Sequence, residues 1–264
     1  MKRLKILLIY AADERNATLS YQQTWPSLMS NYPGFDCLGL NLFAGKMSFS
    51  RLSQSVQRFF FKADAIVFLH SVFSNSCHLV ASDIALFRKM KPLKVFFIGN
   101  EYKLIPEKMR LCEDLAIDLL ISQSNSQRVH DLYRERLGCK VGFMPNTGFD
   151  PKVFKPVIPF KKRPIDIGYR SLHSPLYLGH DERKEISEFF THLCKEKGLK
   201  SDISLDPSDR LGVGAWAAFL DRCKAQIGTE AGGDYFELND ESRLKINAYC
   251  RSHSDATIED INQL

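Results

Sequence analysis

Residues 141–156 read VGFMPNTGFDPKVFKP, a little past the middle of a chain of 264 residues. A short apolar run is halted by Pro145 and Asn146, a glycine follows at position 148, then Asp150 and Pro151, and Phe154 stands between lysines and Pro156. Proline has no N–H to give to a β-ladder, and asparagine and glycine favour turns, so a strand ending here continues neither as strand nor as helix. The chain changes direction, and the residues on either side tell what it turns between.

Upstream, short continuous apolar runs recur, the pattern of buried parallel strands: LKILLIY (4–10), a weaker DCLGLNL (36–42), AIVFLH (65–70), LKVFFIG (93–99), DLLIS (118–122) and KVGFM (140–144). Helical patterns separate them, among them SRLSQSVQRFFFK (50–62) and SNSQRVHDLYRERLG (124–138). The second opens on Ser and Asn as cap candidates and closes at Gly138 behind Arg134 and Arg136, which suits the helix dipole and a glycine C-cap. Downstream comes a Pro- and Lys-rich connector, FKPVIPFKKRP (154–164), and the alternation restarts. PIDIGY (164–169), SDISL (201–205) and KAQIG (224–228) read as strands. Residues 181–198, 215–223 and 237–251 read as helices, the first with Gly198 at its end. Strand and helix in alternation imply right-handed crossovers and doubly wound parallel sheets. The expected fold is α/β in two Rossmann-like domains, 1–155 and 156–264, the second short or incomplete, with a hinge at 145–163.

The composition, 44% hydrophobic and 25% charged, is that of a globular protein with material for a core. A net charge of +5 permits phosphate-bearing partners or an anionic membrane surface, but no basic run is dense enough for a nucleic-acid arm. The seven cysteines are odd in number, scattered and without a C-x-x-C pair, which excludes a disulfide framework or a zinc ribbon and points to a reducing cytoplasm. No run approaches the ~20 apolar residues of a membrane span. A G-x-x-x-x-G-K-[ST] phosphate loop is absent, and Gly212-x-Gly214 lacks the third glycine and the preceding strand of a dinucleotide fingerprint, so kinase and dehydrogenase readings lose ground. A receiver-like pair is disfavoured because LKILLIY is not followed by an acidic magnesium cluster.

The turn resembles the interdomain signature of GT-B nucleotide-sugar glycosyltransferases, in which a strand ends in Pro-Asn-Gly-hydrophobic-Asp and a Phe and a Pro follow. Pro145, Asn146, Gly148, Phe149, Asp150, Phe154 and Pro156 match it, with Thr147 as one extra residue. IDIGYR (165–170), LKSDISLDPSDR (199–210) and CKAQIGTEAGG (223–233) are similar to blocks of the bacterial surface-polysaccharide members. The resemblance implies a nucleotide-diphosphate sugar held mainly by the second domain, a glycan or lipid-linked acceptor against the first, and transfer in the cleft between them without a bound metal or other cofactor. It also implies further strands and a glutamate-bearing segment beyond Leu264, so the chain reads as C-terminally truncated. On this reading it is weakly active unless a second copy or a partner chain completes the second domain.

Strand ends are where open α/β sheets bind ligands. His70 ends AIVFLH and, with Asp64 ahead of it, resembles the histidine that contacts the donor sugar; a histidine that merely closes a strand has the same letters. His70, Cys77 and His78 lack the fourth ligand of a metal site. Asn100, Glu101 and Lys103, in GNEYKL (99–104), carry the amide, carboxylate and ammonium that suit sugar hydroxyls, as would a solvated loop. Glu101 joins His70 as a catalytic candidate. Arg170 and Lys184 resemble the pair that grips the donor diphosphate, with a surface salt bridge to Asp181, Glu182 or Glu185 as the other account of Lys184. His173 and His180 are weaker candidates on the same loop. Glu230 lies in GTEAGG (228–233), where glycines let a ligand approach or simply make a turn. Phe59, Phe60 and Phe61 between Arg58 and Lys62 fit a peripheral membrane contact or, more simply, a core face. The expectation is a cytoplasmic, glycosyltransferase-related protein, with a non-catalytic nucleotide- or sugar-binding module as the alternative.

Overall fold

The computed structural model describes residues 3–13, 20–43, 62–145, 150–229, 232–233 and 235–264. The chain divides into two compact units, Met1–Gly148 and Phe149–Leu264. The helical pattern at 50–61, with its three phenylalanines, and residues 146–149 of the turn signature lie outside the described residues.

The first unit runs β1 (Leu4–Tyr10), α1 (Ser20–Ser30), β2 (Phe35–Asn41), β3 (Ala65–Phe68), α2 (Ala81–Lys89), β4 (Leu93–Phe97), α3 (Ile105–Leu115), β5 (Leu119–Ser122), α4 (Gln127–Leu137) and β6 (Lys140–Phe143). Its six strands form one sheet in the order β2-β1-β3-β4-β5-β6, every pair parallel. It is an α/β unit of general Rossmann-like type. The apolar runs explain which strands are central. All four residues of β3 and four successive residues of β1 are buried, as strands covered on both faces must be, whereas the edge strands β2 and β6 alternate or stay half-exposed. Ile6, Leu8, Val67, Leu69, Val95 and Phe97 form one layer of core with Trp25 of α1 against it.

A repeated device fixes the strand starts. Asp64 Oδ2 accepts the Lys5 N–H at 2.8 Å while the Asp64 N–H donates to the Lys5 carbonyl. Asp118 makes the same two bonds with Lys94, and Asp166 with Lys200 in the second unit. Asp64 therefore belongs to the edge of the sheet opposite His70, as a strand-pairing residue.

The second unit runs β7 (Ile165–Arg170), α5 (Glu182–Lys197), β8 (Ser201–Ser204), α6 (Val213–Arg222), β9 (Cys223–Gln226), α7 (Glu241–Ser252) and α8 (Ile258–Ile261). Its sheet has the order β8-β7-β9, again all parallel. Ile165, Phe219 and Cys223 form a small core with Leu211, Trp216 and Leu220 packed against it. Gly168, at the centre, is where sheet and helix touch most closely: a Cβ there would lie 2.4 Å from Cys223 Sγ and 2.9 Å from Phe219 Cζ. The connector is tied to this unit. Asp221 accepts the N–H groups of Val157 and Ile158, each at 2.9 Å, and Arg163 donates to the carbonyls of Ile158 at 3.2 Å and Cys223 at 2.9 Å.

Two of the expected boundaries shift for a visible reason. β3 stops at Phe68, and His70–Val72 turns as a 3₁₀ segment because Ser71 Oγ reaches back to accept the Ala11 N–H at 3.1 Å. The helix expected from 237 starts at Glu241, since Glu237 is used as its cap, accepting from the Ser242 N–H at 3.0 Å and the Ser242 hydroxyl. At the last short helix, Thr257 and Asp260 form a capping box. Gly138 and Gly198 both adopt the left-handed cap, at φ 65° and 63°.

Candidate functional site

Because all strands of the first sheet are parallel, their carboxyl ends fall on one edge, and the order 2-1-3 places a topological switch point between β1 and β3. His70 sits there, directly after β3. At the described start of the turn after β1, the backbone donors of Ala11 and Ala12 are engaged. The Ala11 N–H is taken by Ser71, the Ala12 N–H donates to Asn41 Oδ1 at 3.0 Å, and Asn41 Nδ2 returns a bond to the Ala12 carbonyl at 2.9 Å. A phosphate cradle needs such backbone donors unengaged, and at these two positions Ser71, in the 3₁₀ segment after β3, and Asn41 of β2 take them.

His70 is 9% exposed and its ring lies over Gly99 at the end of β4. A Cβ at Gly99 would stand 2.3 Å from His70 Cδ2, so the close approach requires glycine. Trp25 flanks the imidazole at 6.1 Å between centroids, and its buried indole N–H makes no hydrogen bond among the described residues. Burial first, and the ammonium of Lys108 second, lower the His70 pKa to about 4. At neutral pH the ring is uncharged, with one donor and one acceptor.

The loop after β4 is built around charge. Asn100 (φ 49°) and Leu104 (φ 56°) are both left-handed, and between them Lys108 Nζ donates to the carbonyls of Gly99 at 2.7 Å, Asn100 at 2.8 Å and Lys103 at 2.9 Å. The Asn100 amide oxygen accepts from the Tyr102 hydroxyl at 3.2 Å, and Lys103 Nζ donates to Asn75 Oδ1 at 2.6 Å. Glu101 turns the other way. One carboxylate oxygen accepts from Ser122 Oγ at 2.8 Å and Tyr133 Oη at 2.7 Å, the other from the Gln123 N–H at 2.7 Å. A carboxylate has about four acceptor sites, and three are occupied by the chain itself. Glu101 thus locks β5 and α4 to the β4 loop. Burial and this carboxylate hold the Tyr133 phenol well above its usual value of 10.

The structure gathers His70, Asn100, Glu101 and Lys103 at one edge of the first unit. Arg170 and Lys184 belong to the second. Arg170 folds back over the sheet: its guanidinium donates to the Tyr169 and Asp202 carbonyls at 3.1 Å, pairs with the Asp202 carboxylate, and lies 4.9 Å above the Phe219 ring. That arrangement explains Arg170 as a sheet-to-helix clamp whose two terminal nitrogens bond protein acceptors, while its buried Nε makes no hydrogen bond among the described residues. Arg170→Ala is expected to destabilise the second unit by about 1–2 kcal/mol, for a half-screened ion pair and a stacked cation; urea unfolding followed by Trp216 fluorescence checks it. Lys184 is exposed in the first turn of α5, with no partner for its ammonium among the described residues. Glu230 lies outside the described residues.

His173 is exposed, whereas His180 Nε2 meets the Gly232 carbonyl at 3.0 Å. The second unit also holds a polar pair that the sequence did not single out. Asp240, left-handed at φ 60° and 4% exposed, takes Arg243 Nε at 3.0 Å and Nη2 at 2.6 Å. Burial, then the carboxylates of Glu237 and Asp240, push the Tyr235 phenol to about 12. The i, i+3 spacing of Asp240 and Arg243 was a visible signal; their burial was not. Among the described residues no three His, Cys, Asp or Glu side chains converge as metal ligands, and no helix is long and apolar enough to cross a membrane. Cys77 and His78, paired with His70 in the sequence reading, are engaged separately: the Cys77 thiol donates to the Leu79 carbonyl at 3.8 Å and His78 lies beside Phe43. No protein-family model and no curated protein matches the chain.

Proposed function

We propose that the chain is a glycosyltransferase-related protein of GT-B type that binds a nucleotide-diphosphate sugar and directs the sugar to a hydroxyl of a glycan or lipid-linked acceptor, without a metal or other cofactor, in the cytoplasm. The observation that carries this reading is the pairing of two separate all-parallel units, each wound 2-1-3 about its first strand, on either side of the Pro145 to Pro156 turn. In such a reaction the bond from the anomeric carbon to the diphosphate oxygen breaks, a bond to the acceptor oxygen forms, and the hydroxyl proton leaves. An uncharged His70 at the switch point suits a neutral sugar better than a phosphate, because it brings no positive charge to the site. Its low basicity makes it a poor proton acceptor at neutral pH, so its part is to orient the sugar.

The second reading is a sugar- or nucleotide-binding module without turnover. It is favoured by Glu101, both of whose carboxylate oxygens accept bonds from within the chain, and by Arg170, whose terminal nitrogens are held by Tyr169 and Asp202. A panel of uridine, guanosine and thymidine diphosphate hexoses, assayed for calorimetric binding and for release of free nucleotide with a glycan acceptor, separates the two. Release and transfer are the expected result. Binding without release establishes the module, and binding of none of the panel overturns both.

A further inference from the structure

Lys108 is fully buried in the first turn of α3, at 0% exposure. A buried cation is costly unless every donor is satisfied, and a methionine would fill the same helix face without that cost. The three N–H groups of the ammonium meet three carbonyl oxygens, of Gly99, Asn100 and Lys103, all from one loop. That loop holds two non-glycine residues in the left-handed region, a conformation that each residue resists by about 1 kcal/mol, and the carbonyls turned inward onto Lys108 offset it. The same loop meets the turn after β3 at two points: His70 packs on Gly99, and Lys103 Nζ bonds Asn75 Oδ1.

We propose that Lys108 is the positioning residue of the strand-end site: its ammonium arrests loop 99–104 in the one shape that sets Asn100 and Lys103 beside His70. The proposal rests on the reading of this edge as a sugar site, but two of its three readouts need no ligand. Lys108 also acts on the imidazole electrostatically, as the second cause, after burial, of its depressed pKa. Trp25 of α1 and the Gly99 backbone of the β4 loop also flank that ring.

The test is the full chain carrying Lys108→Met, which keeps the stem and removes the charge. Amide exchange at Lys103, whose N–H donates to the Asn100 carbonyl at 3.2 Å, is expected to quicken roughly tenfold or more as the loop opens. The His70 ring signals in NMR are expected to titrate upward from about 4 toward 6.5. The affinity for whichever diphosphate hexose of the panel binds the parent chain tightest is expected to fall roughly tenfold. A folded Lys108→Met chain with Lys103 exchange and His70 titration at parent values overturns the proposal, and so does a loosened loop with undiminished affinity. If no hexose binds the parent chain, the sugar reading fails and the first two readouts still decide whether Lys108 sets the loop. Should Lys108→Met not fold, Lys108→Arg takes its place. A planar guanidinium cannot converge on three oxygens as an ammonium does, so faster Lys103 exchange with the charge retained supports the proposal and unchanged exchange overturns it.

Discussion

Glu101→Ala is expected to lower the stability of the first unit by about 3–4 kcal/mol, since two or three charge-assisted hydrogen bonds worth ~1.5–3 kcal/mol each are lost non-additively. The Tyr133 hydroxyl, on a side chain that is 0% exposed, would lose the carboxylate that accepts from it, as would Ser122 Oγ and the Gln123 N–H. For a unit of this size the midpoint of heat unfolding falls by ~2–4 °C per kcal/mol, so a drop of about 10 °C is the visible effect. The two tryptophans make the measurement clean, because Trp25 lies in the first unit and Trp216 in the second. A Trp216→Phe background leaves fluorescence that reports the first unit alone. Glu101→Gln, with one carbonyl oxygen in place of two acceptors, is expected to lose about half as much. If Glu101→Ala unfolds with the parent chain but releases no nucleotide from a bound nucleotide sugar, Glu101 is catalytic and its structural role is secondary.

The different fates of Glu101 and His70 show what the sequence could carry. Strand ends were legible, because buried runs such as AIVF and LKVFF stand out from their surroundings and a parallel sheet sends all their carboxyl ends to one edge. That alone brought His70, Asn100, Glu101 and Lys103 together. What each side chain does was not legible, because it depends on residues distant in sequence: Ser122 and Tyr133 for Glu101, Asp202 for Arg170. Lys108 escaped notice because a lysine in a helix is normally solvated, and no local pattern marks one whose three donors end inside a loop. Asp64 was misplaced for a related reason. Its position ahead of a strand fits both a site motif and a pairing device, and only the repetition of that device at Asp118 and Asp166 decides for pairing. The connector was legible as a turn, but its attachment to the second unit depends on Asp221 and Arg163, which are 58 positions apart.

Acid is expected to weaken the first unit through His70, over a window that its burial defines. The folded-state pKa is about 4 against an ordinary value of 6.5. Above 6.5 the ring is neutral folded or unfolded, and it contributes no pH dependence. As pH falls below 6.5 the unfolded chain takes up a proton that the folded chain refuses, so the stability present above 6.5 is lost until the folded ring also protonates near 4. A separation from 6.5 to about 4, at ~1.4 kcal/mol per pH unit, amounts to about 3 kcal/mol. His70→Gln has no proton to take up and is expected to start less stable at pH 7, because its amide packs poorly between Trp25 and Gly99, but to lose about 3 kcal/mol less between pH 7 and pH 4. Urea midpoints at the two pH values, read by Trp25 fluorescence in the Trp216→Phe background, give the difference directly. Parallel losses in the two chains would mean that the folded protein accepts the proton as readily as the unfolded one. His70 would then be charged at the switch point in mild acid, and the case for a neutral hydroxyl as its partner would fall with it.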